Sequence, residues 1–199
     1  MTSTIVNPRT HESSGQDRAP DAQEPSRASA ATPDAFARES RIDELAYSAG
    51  VDPVDFRLGL LDDERLAAVI EAAARRFGWQ FPWCPAGGPA LWAKGWLRRG
   101  AGIAVGLEAG RRVATCAEVR PGGSGQLRVS RIVTAYEREA GVHPDVVLLD
   151  RPGLPSAAGG EAPLSALAPA IANAIFAATG RRLSALPPMP EGRAFRLAS

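Results

Sequence analysis

A chain of 199 residues with 23 Lys and Arg against 22 Asp and Glu carries no net field to gather nucleic acid or an anionic membrane, so partners must be recognised locally. Its hydrophobic share of 45% supports the core of one domain or two small ones, and no run approaches the ~18 apolar residues of a membrane span. The opening MTSTIVNPRTHESSGQ holds no basic segment followed by an apolar one, and Cys84 and Cys116 form neither a Cys-x-x-Cys pair nor a disulfide framework; both features lead to the expectation of a cytoplasmic protein with reduced thiols.

Residues 1–35 are rich in Ser, Thr, Pro, Asp, Gln and Arg and almost empty of large apolar side chains. Such a stretch buries too little surface to offset its chain entropy, so a disordered tail is expected there, with the folded part over 36–199. In ARESRIDELAYSAG the positions Ile42, Leu45, Ala46 and Ala49 follow helical spacing, and Gly50 stands where a glycine would end the helix. Asp52-Pro53 fits an N-cap followed by a proline at the first helical position, opening a short helix through Val54, Phe56, Leu58 and Leu61. A third helix is marked by Leu66, Val69, Ile70, Ala73 and Phe77, with acids in its first turn and Arg75-Arg76 in its last.

From Trp79 to Gly100 the pattern is irregular: WQFPWCPAGGPALWAKGWLRRG holds all four tryptophans among prolines and glycines. It reads as a loop packing its indoles over the domain, or as an exposed aromatic patch for a partner. After Gly102 the apolar period changes to two. Val113, Thr115, Ala117 and Val119 share one strand face, and Leu127, Val129 and Val133 repeat the alternation after the turn PGGSG, as in a hairpin. The run PDVVLLDR, Pro144 to Arg151, suits a strand buried on both faces. Finally Ser165 is placed to cap a helix through Ile171, Ile175 and Phe176 to Gly180, with Pro169 in its first turn and Arg181 and Arg182 beyond. The elements together make an α+β chain.

Few residues offer chemistry. His11, Cys84, Cys116 and His143 have no clustered spacing for zinc. Gly122-Gly123-Ser124-Gly125 lies between two alternating strands, lacks a following lysine and opens no helix, which makes it a turn and not a phosphate cradle. No Gly-x-Ser-x-Gly elbow occurs, and Cys116 lies mid-strand, where a small buried hydrophobe is the default. Glu161 is the best candidate: a following helix favours its ionised form, and Gly159-Gly160 before it allow close approach of the backbone to a ligand. An ionised carboxylate suits a general base. Local chemistry alone still favours a plain helix-start residue, since acids before a helix are common.

Three blocks are more distinctive. ESRIDELAYSAGVDPVDFRLGLLDDERLAAVIEAAARRFGW, GIAVGLEAGRRVATCAEV…GQLRVSRIVTAYE and PDVVLLDRPGLPSAAGGEAPLSALAPAIANAIFAATGRRLSALPPMPE resemble, in that order, the C-terminal part of the molybdopterin-binding large subunit of the xanthine dehydrogenase/aldehyde oxidase family. The nearest branch is the isoquinoline-oxidoreductase-like and nicotinate-dehydrogenase-like subunits. The resemblance implies the α+β second molybdopterin-binding domain, a molybdenum-molybdopterin cofactor in its cytosine dinucleotide form, and iron-sulfur clusters on a partner small subunit. In that family the glutamate of Gly-x-Gly-Glu lies beside molybdenum and acts as base in hydroxylating an aldehyde or N-heterocycle. Glu161 falls on that glutamate, with Gly159 and Gly160 as cofactor-side glycines.

Departures accompany the match. Ala158 replaces the first glycine of the motif, and the chain passes from EREAGVHPD straight to VVLLDR, without the family's intervening Gln-x-Glu-Gly-Gly helix. The first cofactor-binding domain has no counterpart, so a separate chain is expected to carry it. Two other readings follow: a catalytically inactive remnant of a truncated gene, and a protein-binding module that docks through its Trp-rich segment.

Overall fold

The computed structural model describes residues 33–80, 99–108, 110–122, 126–137, 146–151, 165–184 and 194–195, with the backbone alone for 146–151 and 194–195. Three helices come first: α1 (Pro33–Ala49), α2 (Pro53–Gly59) and α3 (Glu64–Phe77). Strands β1 (Gly100–Glu108), β2 (Arg111–Pro121), β3 (Leu127–Glu137) and β4 (Val146–Arg151) follow, then helix α4 (Leu167–Thr179) and the short strand β5 (Ala194–Phe195). α1 begins at Pro33; the rest of the expected tail lies outside the described residues.

The helix boundaries follow local chemistry. Asp52 caps α2 by accepting from Val54 N–H at 2.7 Å, with Pro53 at the first helical position. Asp63 caps α3 by accepting from Arg65 and Leu66 N–H, each at 3.1 Å. α1 ends before Gly50, whose φ of +67° is left-handed and unstrained only for glycine.

The face that α1 buries coincides with the apolar one expected from spacing at Ala46 and departs from it at Leu45 and Ala49. Leu45 is 41% exposed and Ala49 is exposed, whereas Phe36, Glu39, Ser40, Asp43 and Ala46 are buried. The helix is rotated because two of its carboxylates have partners in the interior, described below. α3 buries the stripe that was expected: Val69, Ile70, Ala73 and Phe77 are all buried, each large side chain contributing ~1.5–3 kcal/mol.

The sheet is antiparallel throughout, in the order β1-β2-β3-β4, with β5 paired to the start of β3. Helices cover both faces. Ala104, Val113, Ala117, Val119, Leu127 and Ile132 pack on α4, while Ala101, Ile103, Ala114, Cys116, Val133 and Ala135 pack on α3. The expected hairpin is thus the centre of a larger sheet. β4 occupies Val146 to Arg151 as the apolar run implied, pairing from Glu137↔Val146 to Ile132↔Arg151.

One face assignment is corrected. Val133 was expected beside Leu127 and Val129, but the register runs Val119↔Val129 and then Glu118↔Arg131, leaving Ser130 as an extra residue. This bulge reverses the alternation, so Ile132 takes the α4 face and Val133 the α3 face. The helix cap at Ser165 is corrected too. Ala166 is the N-cap, without a side-chain bond, and Ser165 precedes it.

Close packing of α4 on β1 depends on glycine. A Cβ on Gly102 would lie 2.2 Å from Ala174 N and 2.5 Å from Ala170 O, and one on Gly100 would lie 2.2 Å from Ala174 O. Both obstacles are helix backbone, which cannot rotate aside. Gly102→Ala therefore forces α4 off the sheet and is expected to cost at least the ~1–3 kcal/mol typical of overpacking. Gly59→Ala, with nothing within 4 Å of its new Cβ, should be neutral or stabilising. Urea unfolding midpoints test the pair: an unchanged midpoint for Gly102→Ala contradicts the packing described.

Candidate functional site

The site residues expected from sequence, Gly159, Gly160 and Glu161, lie outside the described residues; the two elements that flank them are described. β4 ends at Arg151, opposite Ile132, and α4 begins beside the far end of β1. There Ser165 N–H donates to Glu108 Oε2 at 3.0 Å. A Cβ on Gly106 would fall 2.8 Å from Ser165 Oγ, so this strand end is shaped to receive the start of the helix. The carboxylate at the positive end of α4 thus comes from β1, 57 residues back. Nothing local in the sequence marks Glu108 for this role.

A second set of polar groups, also missed by sequence reasoning, joins α1, α2, β1 and α4 in the interior. Glu39 and Asp43 stand one helical turn apart on α1, and both are buried. Arg57 on α2 donates through Nε and one terminal nitrogen to Glu39 Oε2, both at 3.3 Å, and through the other to Pro53 O at 3.0 Å. Val105 N–H on β1 donates to the same Oε2 at 3.0 Å. Asn173 on α4 donates to Ile103 O at 3.0 Å and accepts from Arg182 at 2.8 Å. Arg182 also donates to Asp43 at 2.8 Å, with its guanidinium carbon 3.5 Å over the Phe176 ring. Burial pushes the Asp43 carboxyl above its usual range, against the pull of Arg57 and Arg182. A signal existed: carboxylates at positions 39 and 43, in phase with Phe36 and Ala46.

Two further clusters flank α3. At its start Arg112 donates to Asp63 at 2.7 Å and to Glu137 at 3.0 Å, and Arg65 meets Glu137 at 2.6 Å. The Arg112 hydrogen bond holds Asp63 below the usual carboxylate range. At the other end of the sheet Glu118 is buried under Arg99, Arg120 and Ser130. Burial pulls its pKa up, but hydrogen bonds from Arg120, Ser130 and Arg99 outweigh this and hold it below the ordinary value.

These carboxylates are engaged by cations or amides, so none is free to serve as a base. Burial drives the Cys116 thiol far up, which removes it as a nucleophile. Of the four tryptophans only Trp79 is among the described residues, and its indole N–H donates to Asp52 at 3.0 Å. No group of three or more His, Cys, Asp or Glu among the described residues is placed to hold a metal. Nor is any described helix long and apolar enough to cross a membrane.

No family model matches the chain, and no solved structure matches it. One curated relative does. A nicotinate dehydrogenase subunit of Pseudomonas putida is 32% identical over 217 residues, an alignment that takes in 79% of this chain. The chain spans 18% of the length of that relative.

Two outcomes test the ionic clusters. Arg57→Met leaves Glu39 buried with only the half-exposed Arg38 at its other oxygen and is expected to cost up to ~3–5 kcal/mol, much of it recovered in Glu39→Gln/Arg57→Met, where Val105 N–H keeps an acceptor. Equal losses in denaturant titrations of the single and double variants contradict the pairing. For Glu118 the folded pKa is depressed, so its stabilisation is complete above the unfolded pKa and disappears as pH falls through the folded one. The stability gap between the wild type and Glu118→Gln should be widest at neutral pH and close on acidification; thermal melts across pH measure it.

Proposed function

We propose that the chain is a C-terminal portion of a molybdopterin-binding large subunit of the xanthine dehydrogenase/aldehyde oxidase type, with Glu161 as its base. The observation that carries this is the 32% identity to a nicotinate dehydrogenase subunit across 79% of the chain. The alignment also leaves room for a missing segment. Since 79% of 199 residues is about 157, about 60 of the 217 aligned positions face gaps in this chain. On this reading the domain is the second molybdopterin-binding domain in shortened form.

The bound group, molybdenum on molybdopterin in the cytosine dinucleotide form, would supply the oxygen-transfer and hydride-accepting chemistry. This chain would supply the carboxylate. Three residues separate Glu161 from Ser165, so the Cα of such a base would lie within ~14 Å of that of Ser165, which Glu108 holds. Gly159 and Gly160 would let backbone approach the cofactor where a side chain would intrude. Glu161 would accept a proton at a carboxylate oxygen while an aldehyde or N-heterocyclic carbon is hydroxylated, and then release it to solvent. Electrons would pass to iron-sulfur clusters on a partner subunit, in the cytoplasm. A separate chain carrying the first cofactor domain would complete the pocket.

The test is to purify the chain alone and with its iron-sulfur partner, then measure bound molybdenum and dye-linked oxidation of nicotinate and of an aldehyde. Molybdenum is expected with the partner present, and Glu161→Gln should keep the metal while losing activity by ~10²-fold or more. Activity that survives Glu161→Gln overturns the assignment of the base. Absence of molybdenum from every preparation overturns the enzymatic reading in favour of an inactive remnant.

A further inference from the structure

Beyond any oxidoreductase activity, the end of the sheet beneath the C-terminus of α3 concentrates positive charge. Arg120 and Arg128 lie directly opposite each other on β2 and β3, an arrangement in which like charges repel. Arg99 precedes Gly100, which pairs with Val119, and so falls in line with both. A row of three arginines thus crosses three adjacent strands. Glu118 is the carboxylate it meets, buried and bonded to Arg99 and Arg120. Those two side chains nevertheless stay 52% and 56% exposed, and Arg128 is exposed, its stem lying over Gly122. Arg131, opposite Glu118, donates to the carbonyls of Phe77 and Arg76 and carries the patch to Arg75 and Arg76, both exposed, at the end of α3. In a chain whose net charge is +1, this is marked segregation.

We infer that this arginine row is a docking surface for an acidic, extended segment of a partner polypeptide. Guanidinium groups are planar forks that take carboxylates bidentately, and arginine is the charged residue enriched at protein interfaces. Glu118 holds two of them from below, so less side-chain freedom is lost on binding. The row's length selects the partner. Three strands span ~10 Å, room for two acidic side chains spaced two residues apart along a strand at ~6.8 Å. A row of this length matches a pair of carboxylates, whereas non-specific nucleic-acid binding gains its affinity by neutralising a long run of phosphates.

Fluorescence anisotropy with the full chain and a labelled dodecapeptide of alternating Glu and Ser tests this, with a twelve-nucleotide oligothymidylate as the second probe. The peptide should bind at low salt and weaken about tenfold at physiological ionic strength. It should also weaken severalfold in Arg128→Gln and further in Arg75→Gln/Arg128→Gln. Both side chains are exposed, so both variants should melt with the wild type. Arg111→Gln, at the opposite end of β2, should bind as the wild type does. Failure of the peptide to bind, tighter binding of the oligonucleotide, or equal loss in Arg111→Gln and Arg128→Gln would overturn the inference. None of these readouts depends on molybdenum or on Glu161.

Discussion

The arrangement of this molecule depends on a single buried carboxylate. Glu39 has no exposure to water, and the groups that meet its carboxylate are Arg38 on its own helix, Arg57 on α2 and Val105 N–H on β1, while Asn173 on α4 donates to its main-chain oxygen. An ion so placed is tolerable only while its partners are in position, since an unpaired buried charge costs several kcal/mol. The helices and the first strand are thereby committed to one relative placement. Apolar contact is less selective: α1 could turn about its axis and still bury Ile42, Leu45 and Ala49. The carboxylates decide the rotation.

The opposite kind of constraint operates between α4 and β1. Here there is no charge and scarcely any side chain, only Gly100 and Gly102 facing Ala170, Ala174 and Ala178, and Gly106 facing Ser165. Backbone against backbone leaves little play, and it carries the start of α4 to Glu108. Side-chain ions set where the helices lie, and the absence of side chains sets how near they come.

Sequence reasoning succeeded wherever the determining chemistry is local. Asp52-Pro53 and Gly50 mark helix ends through groups within a few residues, and α3 shows its stripe plainly. It failed where a distant residue decides. The bulge at Ser130 is defined only by the partner strand, the start of α4 is held by a residue far upstream, and the polar face of α1 makes sense only once Arg57 and Asn173 are adjacent. For Glu161, local chemistry gave an ordinary helix-start acid, and its proposed role rests on likeness to a known family.

The ties made by Glu39 and Asn173 also bear on what this sheet can join. In an antiparallel ladder, alternate residues of an outer strand turn N–H and C=O away from their neighbour, ready for another strand. On β1 two of those outward groups, Val105 N–H and Ile103 C=O, are already engaged by Glu39 and Asn173. At those two positions the edge of the sheet is therefore closed, and it resists edge-to-edge pairing there. The same ties that orient α1 thus close part of the sheet's edge.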